Sequence, residues 1–84
     1  MNARSDILNA AKELVKGEKT YQDSFRHIAD LWTDYLGVPI TEADVAILMC
    51  LLKIARTIEN KSCQDNYISA ASYLAIAGEL SKDK

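Results

Sequence analysis

Apolar residues crowd one stretch of this chain above all others. From Thr41 to Asn60, TEADVAILMCLLKIARTIEN, a helix would carry Val45, Ile47, Leu48, Met49, Cys50, Leu51, Leu52, Ile54, Ala55 and Ile58 on almost every side. A helix apolar all round is normally buried by neighbours on several sides. Its length would reach across a bilayer. Lys53 and Arg56 near its middle and acids at both ends oppose that, because a charge at a bilayer centre is costly. The stretch is therefore read as the core helix of a small soluble bundle. Thr41 as N-cap with Asp44 three residues on makes a capping box, with Asp in place of the usual Glu.

Three further periodic segments flank it. From Ser5 to Lys16, Ile7, Leu8, Ala11, Leu14 and Val15 form one narrow stripe, which predicts a helix on the outside of the bundle, with Ser5 as N-cap and Gly17 closing it. Thr20 and Asp23 repeat the capping-box pattern. The helix they open predicts Phe25, Ile28, Ala29, Trp32, Tyr35 and Leu36 on one face and Arg26, Asp30, Thr33 and Asp34 on the wet one. Gly37 closes it, and Pro39 prevents its continuation. After a polar connector at 60–64, Asp65 is expected to cap a last helix over about 66–80. Tyr67, Ile68, Ala71, Leu74, Ala75 and Leu80 would form its apolar face, and Ala70, Ser72, Ala77 and Gly78 make it rich in small side chains. The expectation is an all-α fold, a small four-helix bundle around a buried central helix at about residues 41–60, forming a single helical domain over 1–84.

Composition narrows the function classes. An apolar fraction of 49% is high for 84 residues, and small chains of that kind often bury part of the excess in a partner or an oligomer. Lys plus Arg number 10 against 12 acids, a net charge of -2, which is no footprint for general nucleic-acid binding. Cys50 and Cys63 match neither zinc-site nor disulfide spacing, and MNARSD at the start lacks the apolar run of a signal peptide. The expected location is the cytoplasm.

Lys53 and Arg56 sit at i and i+3 in this apolar helix, with Thr57 and Asn60 continuing their face. Two cations there require anions. One reading is internal ion pairing to Asp30, Asp34 or Asp65. The other is a phosphate clamp, with Arg56 bidentate and Lys53 a point charge. Tyr21, beside the turn and off the stripe, is a candidate to stack on a base, as is Tyr67. Asp30 and Asp34, at i and i+4, are read as a solvated face ahead of a metal site. His27 stands alone. Neither a Gly-rich phosphate loop nor a nucleophile elbow is present, and no catalytic residue, metal ligand or cofactor is assigned.

The run from Tyr21 to Leu80 carries a further pattern: SFRHIADLWTDYLG, then ITEADVAILMCLLKIAR, then DNYISAASYLA. It resembles a family of small uncharacterised all-helical proteins of phages and prophages. The matched polar positions are Asp44, Lys53, Arg56, Asp65 and Tyr73. Where that pattern has a second acid in the last helix, this chain has Ser69, and Ala71 and Ser72 displace its glycine. A looser similarity reaches the all-α nucleotide pyrophosphatases, whose Glu-x-x-Glu metal motif is absent here. The resemblance implies a phage setting and a link to nucleotides. The expected function is a phage-encoded helical binding protein, acting as a homo-oligomer in the host cytoplasm. It would hold a phosphorylated nucleotide-type ligand with Lys53, Arg56, Tyr21, Tyr67 and Asp65, and sequester a host defence signal. The alternatives are an inhibitor of a host defence or replication protein and, ranked last, a minimal metal-dependent pyrophosphatase using Asp30, Asp34, Asp44 and Asp65.

Overall fold

The computed structural model describes residues 3–16 and 20–82, and of 20–23 the backbone alone. Four α-helices make up the described fold: α1 (Ala3–Val15), α2 (Thr20–Leu36), α3 (Glu42–Glu59) and α4 (Gln64–Ser81). The all-α expectation is met. Gly17 and the side chains of the Thr20–Asp23 cap lie outside the described residues.

The expected end signals hold in the middle of the chain. Gly37 takes φ 74, the left-handed conformation that closes a helix, and its N–H donates to the Thr33 carbonyl at 2.9 Å. The Thr41 box is complete: the Asp44 N–H donates to Thr41 Oγ1 at 3.1 Å, and the Thr41 N–H donates to Asp44 Oδ2 at 3.0 Å. Two expected caps are corrected. α1 begins at Ala3, so Ser5 lies inside it. α4 begins at Gln64 with Cys63 as N-cap and no side-chain bond there, which leaves Asp65 in the first turn. The connector itself supplies the reason. Asn60 Oδ1 accepts from the Ser62 N–H at 3.2 Å and from its hydroxyl at 2.9 Å, and the Tyr67 hydroxyl donates to the Lys61 carbonyl at 2.9 Å. These bonds tighten the turn, so the helix restarts before Asp65.

α3 packs most extensively on α4, α4 also carries α1, and α2 rests on α3. The core joins Phe25, Ala29, Val45, Ala46 and Ala77, with Ile28, Trp32, Ile40, Met49, Tyr73, Ile76 and Leu80 against them. The rings of Phe25 and Tyr73 lie 6.2 Å apart. α3 is central, but its burial is one-sided, a correction to the expectation of cover all round. It buries Val45, Ala46 and Cys50, while Ile47, Leu48, Leu51, Leu52, Ile54 and Ile58 stay between 39% and 74% exposed. α4 and α2 meet only the Val45–Cys50 side.

The flanking stripes are likewise only partly covered. Leu8 and Leu14 of α1 and Tyr35 and Leu36 of α2 are exposed. Each of these helices has a single main neighbour, which reaches only part of its stripe. In α4 the core positions are Tyr73, Ile76, Ala77 and Leu80, while Leu74 is exposed. That helix is nearly as apolar on one side as another, so periodicity alone does not choose its buried face. The radius of gyration, 13.7 Å, exceeds the roughly 12 Å of a compact chain of this length. The accessible surface, 6219 Å², exceeds the roughly 5,000 Å² of a compact monomer of this mass.

Candidate functional site

The two cations of α3 part company in the fold. Lys53 is half-buried and lines a cavity of about 260 Å³ with Leu14, Ser69, Ser72, Tyr73 and Ile76, between α1, α3 and α4. Arg56 is exposed, in a separate open depression with Leu52, Ala55, Ile58 and Glu59. Among the described residues neither has an ion-pair partner. Asp30, Asp34 and Asp65 are exposed and do not meet them.

The Lys53 cavity has few other polar groups to offer. The Ser72 hydroxyl donates to the Ile68 carbonyl at 2.8 Å, so its proton is engaged. The Ser69 hydroxyl has no partner among the described residues. Ser69 is the position where the resembled pattern has an acid. A carboxylate there would line the same cavity as Lys53; with serine, the polar side chains that line it beside Lys53 are those of Ser69, Ser72 and Tyr73.

The remaining candidates are scattered. Tyr67 is 37% exposed, with its hydroxyl held by the Lys61 carbonyl, so it braces the α3–α4 connector. Asp65 stands exposed in the first turn of α4. The Tyr21 side chain lies outside the described residues. Thr57 donates its hydroxyl to the Ile54 carbonyl at 2.6 Å and so satisfies itself on its own helix. A second cleft of about 250 Å³, at the α2–α3 junction, is lined by Arg26, Asp30 and Glu42 among others. Among the described residues no three His, Cys, Asp or Glu side chains converge as a metal would require. No described helix is long and apolar enough to cross a membrane.

One further feature is signalled by the count of apolar residues and misassigned by periodicity. The outer side of α3 presents Ile47, Leu48, Leu51, Ile54, Ala55 and Ile58 to solvent. The spacing of 47, 51, 54 and 58, steps of four, three and four, is that of a coiled-coil seam. An all-round apolar pattern predicts this seam inside, and the fold leaves it outside. It lies away from the fully buried Val45 and Ala46, and the described residues leave it exposed.

A family model, Domain of unknown function (DUF6378), matches residues 6–81. The chain is 40% identical over 82 residues to the Gene 55 protein of Mycobacterium phage L5, covering 90% of this chain and 51% of that protein. It is 39% identical over 72 residues to the Gene 55 protein of Mycobacterium phage D29, covering 80% and 48%. The chain therefore spans about half the length of the curated relatives it matches. No solved structure matches it. These relatives bear out the phage setting expected from the Tyr21–Leu80 pattern.

Proposed function

The chain belongs to the DUF6378 family, whose relatives named above are phage proteins, and we propose that it acts as a polypeptide-docking module. The observation that carries this reading is the uncovered apolar face of α3. Ile47, Leu51 and Ile54 are 42%, 52% and 44% exposed, and Ile58 is 74% exposed. Isolated surface leucines need no explanation, but a contiguous apolar patch on a small protein marks an interaction site. A preformed helix with a seam at a/d spacing recognises another helix, by inserting side chains between those of its partner. In a phage, occupying the surface of a host defence or replication protein is one use for such a module.

A photo-cross-linking amino acid in place of Leu51 tests this in cells expressing the protein. Adducts are expected there and not at Lys12, an exposed polar position on α1. Equal labelling at both positions, or none at Leu51, overturns the reading.

A second reading rests on a separate observation, the half-buried Lys53 side chain lining a cavity whose described residues include no anion. It is the sequestering function, with a phosphorylated small molecule as ligand. The cavity, about 260 Å³, lies just below the usual size of small-molecule sites. It suits a phosphate group, with any base lying outside. The test is a thermal-shift screen of linear and cyclic nucleotides. A ligand at about 100 times its dissociation constant adds roughly 2.7 kcal/mol, and the shift is expected to vanish in Lys53→Met. A flat screen overturns this second reading and leaves the first untouched.

A further inference from the structure

We propose that the occupant of the α3 face is a second copy of this chain, its α3 laid antiparallel, with Leu51 and Ile54 at the crossing. This rests on the docking reading and names its partner. The seam extends beyond its four apolar members. Asp44, Ile47, Leu51, Ile54 and Ile58 follow one another on α3 in alternating steps of three and four residues, and Lys61 stands in the turn just past the helix end. The line therefore begins on an acid at the first turn of α3 and ends on a base just past its C-cap, Asn60. That order is self-complementary in one direction only. Laid antiparallel, Asp44 meets Lys61 of the second copy at both ends, Ile47 meets Ile58, and Leu51 meets Ile54. Laid parallel, Asp44 would face Asp44 and Lys61 would face Lys61, which like-charge repulsion opposes. Antiparallel helix dipoles favour the same choice.

Size and shape agree with this occupant. Leu48 and Ala55 flank the seam on the same side, and the antiparallel arrangement brings the large side chain of one copy near the small one of the other. The accessible surface of 6219 Å² stands roughly 1,200 Å² above that of a compact monomer. A stable interface removes roughly 800 Å² from each partner, so covering the α3 face in this way would remove most of the excess. The two cations of α3 are not seam residues, which leaves Lys53 in its own cavity.

Sedimentation equilibrium on the 84-residue chain tests the proposal. The expected mass is that of two chains, each of 9.3 kDa. Leu51→Glu and, separately, Ile58→Glu should give the mass of one chain with unchanged helical circular dichroism, since both side chains are already exposed in the fold. Direction is read by disulfide trapping in a Cys50→Ala, Cys63→Ser background. Ile47→Cys mixed with Ile58→Cys should oxidise to a mixed dimer in preference to either homodimer. A single-chain mass at high micromolar concentration overturns the proposal, as does preferential trapping of the homodimers. If the chain is monomeric and the Leu51 photo-adducts persist with other proteins, the second copy is wrong and the docking module stands. If the adducts are absent too, both fall.

Discussion

The backbone N–H of Ile40 donates to the hydroxyl of Thr33 at 2.9 Å, across the turn that reverses the chain between α2 and α3. The same hydroxyl lies 3.4 Å from the Ile40 carbonyl, to which it donates in return. Thr33 thus stands in for the partner that a strand or helix would have given Ile40, and it sets how closely α3 returns along α2. Thr33→Val keeps the shape and removes the bond. It should cost about 1–2 kcal/mol, the penalty for a part-buried amide left unpaired. In urea titration the midpoint should fall with the slope unchanged.

Gly37 takes φ 74 beside that turn, with open space where a Cβ would stand. The objection to a side chain there is conformational, not steric crowding by neighbours. Gly37→Ala should therefore cost about 1 kcal/mol. Gly37→Asn should cost less, because asparagine tolerates the left-handed region. A thermal melt of the pair orders them.

Cys63 and Thr41 occupy the same N-cap position on α4 and α3, but only Thr41 uses its side chain. Cys63→Ser offers a hydroxyl acceptor to the first turn of α4 and should gain about 0.5–1 kcal/mol, while Thr41→Ala should lose about 1 kcal/mol. Denaturant midpoints of the two variants should move in opposite directions.

Ser69 and Lys53 line one cavity. Ser69→Asp should place a carboxylate by the ammonium and stabilise the fold by up to about 1 kcal/mol, an effect weakened by salt. In a double-mutant cycle with Lys53→Met the gain should vanish. No gain in either background would show that the two side chains point to separate parts of the cavity.

The order of helices, the Gly37 stop and the Thr41–Asp44 box were legible in the residues themselves. Caps and stops are local: each is decided by a side chain and a backbone group within a few positions. Cys63 was not legible as a cap, because the connector's bonds, from Ser62 to Asn60 and from Tyr67 to Lys61, moved the start of α4. Periodicity found the core residues of α2 that have a neighbour, Phe25, Ile28, Ala29 and Trp32. It misplaced Tyr35 and Leu36, which stay exposed.

By itself, then, the sequence determined where helices form, where they end and that the chain is all-α, because those depend on short-range bonding and spacing. It also determined that there is more apolar surface than a chain this short buries comfortably. Only the tertiary structure decided which side of α3 is covered, because a helix apolar all round has no preferred face until its neighbours choose one. It likewise decided that Lys53 enters a cavity while Arg56 remains outside. Two residues three apart on a helix lie about 60° apart around its axis, and an edge of the packed face runs between these two.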